Sequence, residues 1–233
     1  MTHLKMTKMG LSSVTSTNME GEQQPLLVVH CPNLQILYLQ ENYLTSMGQA
    51  AFSGLKQLRQ INLFNNLITK MDCFDECVNL QKLYLEGNRI SRLEGLNNCT
   101  ALFELYLGNQ NTRVPFTFDE YSLAAISRSL QLLDLPKVHL VDAKPLYYLS
   151  NLMFLNLQGN DIFDFESSVQ PVLMTVQGLS KLELQGNPVT KIPKYRDQVV
   201  LLTKYLSELD GKAIKANERA YLSKLSQRKQ SHI

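Results

Sequence analysis

The sequence predicts an α/β solenoid, in which short strands stack into one parallel sheet and the returning segments cover its back. Two observations lead to this prediction. First, an eleven-residue pattern with apolar residues at positions one, four, six and eleven and Asn at position nine occurs in full five times, beginning at Leu34, Leu58, Leu80, Leu152 and Leu179. Second, with two degenerate copies at Leu102 and Leu130 included, successive copies begin 22 to 28 residues apart, and 22 is the commonest spacing.

Each copy is typical of one short strand followed by a turn, as Leu80–Ile90 illustrates. Leu83 and Leu85 alternate with polar neighbours, so both point into the coil from the same side of a strand. Asn88 turns the chain, and once buried its amide must be satisfied, which stacked neighbouring backbones can do as a ladder. This is the core segment of a leucine-rich repeat. One unit cannot bury its apolar face alone, so stability comes from its neighbours.

Three further copies are degenerate at the Asn position. Gln110 and Val138 replace the Asn in two of them, and a worn copy at Leu4 and Met6 has Met9 there. Because the first eleven residues resemble an interior strand, we expect an earlier part of the parent protein or another molecule to cover that end. The sequence predicts one domain over residues 1–233, with a degenerate repeat and insertion (1–33), repeats (34–190), a helical cap (191–225) and a frayed tail (226–233).

The segments between the strands predict short helical elements on the convex side. The short connections, such as Ser91–Cys99, predict single helical turns. Residues 114–130 form an expansion with helical spacing after Asp119, and residues 164–178 form a second. After Pro188 an amphipathic helix is expected over Tyr195–Ser207, ended by Leu209–Gly211, and a second helical segment reaches residue 225. The two segments together would seal the last coil.

Composition indicates a soluble cytoplasmic protein. The net charge is only +2, and no stripe of Lys and Arg with interleaved aromatics occurs, so a nucleic-acid partner is not expected. The apolar runs, such as Leu26–Val29, are far too short to span a membrane. Residues 1–9 contain no apolar core of a secretory signal, so a secreted location is not expected either.

The cysteines are predicted to be core residues. Cys31, Cys77 and Cys99 each lie three residues before the first Leu of a segment, a place that Leu fills in other repeats. Free Cys packs well as a small hydrophobe, although disulfide or metal roles are the alternatives. Cys73 and Cys77 lack the second pair that a zinc site needs. The glycosylation signal at Asn98 is interpreted as a chance match.

The chain resembles the leucine-rich-repeat proteins of the protein phosphatase-1 regulatory class. Besides the 22-residue period, the residues that carry the resemblance are Asn187–Pro188, Pro193–Asp197, Leu209–Lys212, Ile214–Lys215, Glu218–Arg219 and, in the first expansion, Phe118–Asp119, Ser122–Leu123 and Ser129–Leu130. The resemblance covers about residues 34–222. It implies a non-catalytic binding protein associated with the phosphatase-1 catalytic subunit, the centrosome and the cilium. Axonemal repeat proteins share this class, so a structural component that binds tubulin, dynein or another axonemal protein is the alternative.

The concave face is the predicted binding surface, because the strand residues between the core Leu positions point there. It combines recurring aromatic rings with carboxylates, as protein-binding hot spots do. The alternative is that the rings only cover the strand backbone. The residues predicted to bind a protein partner are Tyr38, Phe64, Tyr84, Glu86, Glu104, Tyr106, Asp134, Phe154 and Glu183.

Two short motifs offer further hypotheses, and a catalytic function is not expected. Arg113–Phe116 resembles the phosphatase-1 docking peptide, which binds as an added strand; the alternative is that Val114 and Phe116 are core residues. Ser231–Ile233 resembles a carboxy-terminal ligand of PDZ domains. Neither a Gly-rich phosphate loop nor a paired nucleophile is found, and the histidines are scattered at His3, His30, His139 and His232. The sequence therefore predicts no catalytic, cofactor-binding or metal-binding residues.

Overall fold

The computed structural model describes residues 1–17, 23–24, 27, 30–48 and 51–230. In chain order the strands are β1 (His3–Lys5), β2 (Ser16–Thr17), β3 (Gln23–Gln24), β4 (Ile36–Tyr38), β5 (Gln60–Asn62), β6 (Lys82–Tyr84), β7 (Arg92–Leu93), β8 (Glu104–Tyr106), β9 (Thr117–Phe118), β10 (Leu132–Asp134), β11 (Phe154–Asn156), β12 (Lys181–Glu183), β13 (Glu208–Leu209) and β14 (Lys212–Ala213). Ten of these strands form one sheet in the order β1-β4-β5-β6-β8-β10-β11-β12-β13-β14.

The sheet is parallel throughout, apart from the last pair, and the hydrophobic pattern sets its register. Each three-residue strand from β4 to β12 buries its middle residue and leaves the flanking two half-buried. Leu83, for example, pairs with Ile61 on one side and Leu105 on the other, and all three are fully buried. A one-residue slip would turn these side chains to solvent, so the apolar pattern specifies the pairing. The solenoid prediction is confirmed.

A ladder of buried amides runs along the turn side of the sheet. Asn88 illustrates a rung: its Nδ2 donates to the carbonyls of Leu63 at 3.0 Å and Leu85 at 2.9 Å, and its Oδ1 accepts from the Ile68 amide at 3.0 Å. The side chain is fully buried, so these bonds replace the water it loses. Equivalent contacts are made by Asn42, Asn66, Asn160 and Asn187.

Of the three degenerate ladder positions, Gln110 and Val138 behave differently from each other. Gln110 is a working rung, since its Nε2 donates to Leu85 and Leu107 at 2.9 Å each and its Oε1 accepts from the Ile90 amide at 2.8 Å. Its extra methylene does not prevent the amide from bridging two repeats. Val138 is instead buried as an apolar residue, so the row of side-chain amides is interrupted at this one repeat.

Helices occur in the two expanded repeats. Among the short connections a single helical turn is found at Lys144–Tyr148, whereas the turn predicted for Ser91–Cys99 is wrong. Residues 91–99 form turns and the two-residue strand β7. The first expansion contains helix α1 (Glu120–Ile126), which Asp119 caps by accepting from the Ser122 amide at 2.9 Å. The second contains a π-helical turn at Phe165–Val169, followed by α2 (Gln170–Thr175). Two 3₁₀ turns, Lys144–Tyr148 and Pro188–Lys191, complete the convex side.

The four cysteines are free and buried, as predicted for Cys31, Cys77 and Cys99. Burial raises the pKa of the Cys99 thiol to about 12, so this group stays protonated and packs as a hydrophobe. Within the described part of the chain, His, Cys, Asp and Glu side chains nowhere gather in threes around a space that a metal ion could fill.

The carboxy-terminal cap differs from the prediction in its middle part. Helix α3 (Tyr195–Leu202) ends before residue 207, and the chain then adds β13 and β14 to the sheet as an antiparallel hairpin. Asp210 and Gly211, which were expected to stop a helix, are the two turn residues, with φ of 52° and 70°. Positive φ at both central residues is typical of the two-residue type I′ hairpin turn, in which Asp-Gly is a favoured sequence. Asp210 also continues the ladder, because its Oδ1 accepts from the Leu184 amide at 2.7 Å.

Helix α4 (Ala216–Gln230) closes the coil and extends past the predicted boundary at residue 225. Arg219 joins it to α3: its Nη1 donates to the carbonyls of Val200 and Thr203, and its Nη2 donates to that of Leu206 at 2.8 Å. Arg196 and Glu218 add a bidentate ion pair with contacts of 2.6 and 3.0 Å. Residues 226–230 of the predicted tail thus continue helix α4, and whether the tail frays stays a prediction.

At the amino end, β1 pairs with β4, so the degenerate repeat at Leu4 belongs to the sheet. Of the insertion predicted after it, the structure describes the antiparallel pair β2-β3. Of the apolar run Leu26–Val29, only Leu27 belongs to the described residues. Among the described residues, none of the helices combines the length and apolar character needed to cross a membrane.

Candidate protein-binding face

The centre of the concave face is a pair of stacked tyrosines. Tyr84 and Tyr106 pair in register on β6 and β8, and their ring centroids are 4.7 Å apart with an interplanar angle of 10°. The stack follows directly from the repeat, because both residues occupy the same place in successive strands. Burial raises the pKa of both phenols, that of Tyr106 to about 12, so the rings are neutral and form a half-buried platform.

Two of the predicted carboxylates are neutralised by lysines on the same face. Glu104 accepts an ion pair from Lys82 at 2.8 Å, and Glu183 lies 3.4 Å from Lys181, whose shorter contact of 2.8 Å is with Glu208. The predicted acidic stripe is therefore broken into paired and unpaired groups. Its net charge resides on the carboxylates that lack such a lysine.

Glu86 and Asp134 are these remaining carboxylates, and the structure holds both in unfavourable surroundings. Burial raises the pKa of each, and the charge of Asp134 raises that of Glu86 further. Asp134 Oδ1 accepts one hydrogen bond, from Asn156 Nδ2 at 2.7 Å. Glu86 Oε2 is inaccessible to solvent and has no hydrogen-bond partner among the described residues. A buried carboxylate oxygen in this state favours contact with a donor.

The other predicted residues lie around this centre. Tyr38 is half-buried on β4, two strands away from Tyr84. Phe64 follows β5 and is 38% exposed, so it is the most solvent-accessible of the predicted aromatics. Phe154 on β11 is covered by Lys181, whose Nζ lies 5.5 Å from the ring centroid. The structure thus brings together Tyr84, Tyr106, Glu86, Glu104 and Asp134, and leaves the remaining four at the margins.

The site prediction omitted the polar residues that tune these groups, namely Lys82, Lys181 and Asn156. A signal for them was present in the period. Lys82 and Glu104 are 22 residues apart, as are Asp134 and Asn156, so each pair occupies one place in adjacent repeats. Side chains at such places lie across neighbouring strands and interact.

The docking hypothesis for Arg113–Phe116 is wrong for the folded chain. Phe116 is buried and packs edge-on against Phe118 with ring centroids 5.5 Å apart. Of the two apolar residues that such a peptide must present, Val114 is exposed and Phe116 is not, so the two are not available together. Ser231–Ile233 lies outside the described residues.

Sequence-family comparisons agree with the geometry. The family model "Leucine rich repeat" matches residues 32–90, and the model "Leucine Rich repeats (2 copies)" matches residues 78–117. Residues 32–117 thus match leucine-rich-repeat models, and the chain has the leucine-rich-repeat fold. Domains of this class generally mediate protein–protein interaction, typically as non-catalytic scaffolds, and the parallel sheet with its exposed inner face provides a surface for that purpose.

Solved structures show the same fold at low sequence identity. Internalin C2 from Listeria monocytogenes is 21% identical with a TM-score of 0.60, and the match covers 82% of this chain and 76% of that one. A chain of the Drosophila Toll–Spatzle complex is 23% identical with a TM-score of 0.59; the match covers 68% of this chain but only 22% of that one. These similarities concern the fold alone.

Proposed function

We propose that this leucine-rich-repeat protein is a regulatory or targeting subunit of protein phosphatase-1 that acts at the centrosome or cilium. The partner is the phosphatase catalytic subunit, and the concave face is the surface that binds it. The single observation that carries the binding role is the stacked pair Tyr84 and Tyr106 at the centre of that face, beside Glu86 and Asp134. Half-buried aromatics next to uncompensated charge are the composition of an interaction hot spot.

The assignment to phosphatase-1 is supported by the cap. The residues through which the chain resembles the phosphatase-1 regulatory class, and most nearly protein phosphatase 1 regulatory subunit 42, include Arg196, Glu218 and Arg219. In this structure those side chains hold α3 and α4 together. The phosphatase assignment is drawn from this resemblance, which includes residues that close the solenoid here.

A structural role in the axoneme is the second candidate function. A protein of this kind would bind tubulin, dynein or another axonemal protein through the same face. The two candidates differ in what they predict: a regulatory subunit forms a stoichiometric complex with free phosphatase, whereas a structural component co-fractionates with axonemes that have been washed with salt.

The test is capture of purified phosphatase-1 catalytic subunit by the immobilised chain. A Tyr84→Ala/Tyr106→Ala variant removes the concave stack, and Tyr147→Ala/Tyr148→Ala removes a matched tyrosine stack, 4.2 Å between centroids, from a connecting segment away from the sheet. We expect capture by the wild type and by the Tyr147/Tyr148 variant, and loss of capture by the concave variant. Both variants are first compared with the wild type by circular dichroism.

The outcomes separate the two functions. Capture that only the concave variant loses supports the regulatory role. Absence of capture by the wild type, together with retention of the chain on salt-washed axonemes, contradicts the phosphatase assignment and favours the structural role. Equal capture by all three proteins would contradict the concave face as the binding surface.

A further inference from the structure

The carboxy-terminal cap contains an open groove between helices α3 and α4. Its volume is about 230 Å³, and three of its lining residues are leucines, Leu201 of α3 and Leu222 and Leu225 of α4. Lys194 and Asp197 belong to its polar wall. Sites for small molecules usually enclose roughly 300–1,000 Å³, so this groove is better suited to the side chains of another protein.

The apolar surface of the groove continues onto the outside of the cap. Leu201 is 44% exposed, and Tyr221, which lies one turn before Leu225 on α4, is 64% exposed. Leu225 itself is half-buried between them. An apolar strip of this kind, with an aromatic ring at its edge, is typical of a surface that docks another protein.

The charged side chains beside this strip are mainly cations. Lys194 lies in the wall of the groove, and Lys224 is exposed in the row of α4 next to Leu225. Within the described residues neither lysine forms an ion pair. Asp197, the acidic residue of the wall, stands in the first turn of α3, where it complements the positive end of the helix. The strip is therefore flanked by uncompensated positive charge.

The distribution of charge along the chain shows the same bias. Residues 191–233 have ten Lys and Arg against four Asp and Glu, whereas residues 1–190 have 13 against 17, so the total of +2 conceals a basic cap and acidic repeats. Two of the four acidic residues of the cap form ion pairs, Glu208 with Lys181 at 2.8 Å and Glu218 with Arg196 at 2.6 Å. An acidic segment of a partner is attracted to the cap and repelled by the repeats.

From these observations we propose that the groove between α3 and α4 docks an amphipathic helix of an acidic protein partner. The apolar face of that helix lies on the three leucines, and its Asp or Glu side chains lie beside Lys194 and Lys224. A helix fits because both walls of the groove are helices whose backbone groups are bonded internally, so an extended peptide would find no strand edge to pair with. The proposal goes beyond the phosphatase assignment, since it adds a second docking surface at the end of the solenoid.

The experiment uses a designed peptide as the probe. Acetyl-Glu-Leu-Ala-Glu-Leu-Leu-Ala-Glu-Leu-Glu-Glu-Leu-Ala-Glu-amide carries its leucines on one face of a helix. It is titrated into the full chain while the methyl signals of Leu201, Leu222 and Leu225 are followed by NMR. Two matched peptides replace every Glu by Lys or every Leu by Ser. We expect saturable shifts of these methyl signals with the acidic amphipathic peptide and none with either matched peptide.

Two variants of the chain test the two parts of the surface. Leu201→Ser removes the exposed leucine, and its matched control is Met174→Ser, which removes a 59% exposed side chain from helix α2 on the convex side. We expect Leu201→Ser to weaken binding of the acidic peptide at least tenfold and Met174→Ser to leave it unchanged.

The double variant Lys194→Glu/Lys224→Glu reverses the flanking charge and should also weaken binding at least tenfold. Lys5→Glu/Lys56→Glu is its matched control, because it changes the net charge equally at two exposed lysines in the amino-terminal repeats, and it should bind much more nearly like the wild type.

The proposal is overturned if the acidic peptide gives no saturable shift of the three leucines, if the lysine peptide binds as well, or if either groove variant binds like the wild type. A wild-type dimer in sedimentation that Leu201→Ser converts into monomers would also overturn it, because a second copy of the chain would then occupy the groove. The Tyr84→Ala/Tyr106→Ala variant should bind the peptide like the wild type, and loss of binding there would contradict a separate surface. Peptide binding without capture of phosphatase would contradict only the phosphatase assignment.

Discussion

Replacing Asn88 by Ala measures what one rung of the amide ladder contributes to the solenoid. The substitution removes donors from the carbonyls of Leu63 and Leu85, yet each carbonyl keeps a second amide donor, from Asn66 at 3.1 Å and Gln110 at 2.9 Å. Each carbonyl therefore loses one of its two side-chain hydrogen bonds and keeps the other. Two lost bonds of this kind cost about 0.5–1.5 kcal/mol each.

The larger cost falls on the Ile68 amide, which loses Asn88 Oδ1 as its acceptor at 3.0 Å in a fully buried part of the chain. A buried donor left without a partner costs about 1–3 kcal/mol, so the Asn88→Ala variant should lose about 4 kcal/mol in total. With a urea m-value of about 3 kcal/mol/M, the unfolding midpoint should fall by roughly 1 M.

Urea unfolding followed by circular dichroism is the assay, and Asn98→Ala is the matched control. Asn98 is exposed and makes one hydrogen bond, to the Asp75 carbonyl at 2.8 Å, so its loss should change the free energy of unfolding by no more than about 0.5 kcal/mol. If Asn88→Ala unfolds at the same urea concentration as Asn98→Ala, the ladder does not stabilise the coil as argued.

Three further predictions concern other parts of the chain. Gln110→Leu should lower the free energy of unfolding by about 2–4 kcal/mol, because the Ile90 amide loses its 2.8 Å acceptor; an unchanged urea midpoint would show that Gln110 is not a true rung. Arg219→Lys, which cannot reach three carbonyls of α3 and its following turn at once, should cost about 2 kcal/mol in the same assay, and wild-type stability would contradict its role in the cap. Glu86→Gln should change the pH dependence of stability: the fold raises the pKa of Glu86, so its contribution is full below the unfolded pKa of about 4.3 and is lost as pH rises through the folded value. Urea midpoints at pH 4, 5.5 and 7 should therefore increasingly favour the variant as pH rises, and parallel curves would refute the shift.

Most of the fold could be predicted from the sequence because each repeat specifies its own strand and turn, and the constant period also specifies which strands are neighbours. The segment Leu80–Ile90 specifies a strand, its buried face and its turn, and its neighbours repeat that specification. The cap lacks this redundancy. Leu206 and Leu209 fit the apolar stripe of a helix, and only the Asp210–Gly211 pair indicated the hairpin.

The position of the site on the sheet could be predicted from the sequence. Which of its carboxylates are paired with a lysine could be predicted only in part. Alternation along each strand correctly put Tyr84, Tyr106 and Asp134 on the concave face. Which carboxylates are neutralised depends on the places that face one another across strands, and insertions of unequal length hide this in a linear pattern. Lys82 and Glu104 are separated by the base period of 22 residues, so that pair could be read from the sequence. Lys181 and Glu208 are 27 residues apart, and their pairing becomes visible only once the register is known.

The central claim is that a partner binds the concave face through the tyrosine stack, and calorimetric titration tests it most directly. The phosphatase-1 catalytic subunit is titrated into the wild type, the Tyr84→Ala/Tyr106→Ala variant and the Tyr147→Ala/Tyr148→Ala variant at one salt concentration. Hot-spot aromatics cost about 2 kcal/mol or more on truncation, so the concave variant should bind at least about 30-fold more weakly while the other variant matches the wild type. Equal dissociation constants for all three proteins, or loss of binding only in the Tyr147/Tyr148 variant, would contradict the account.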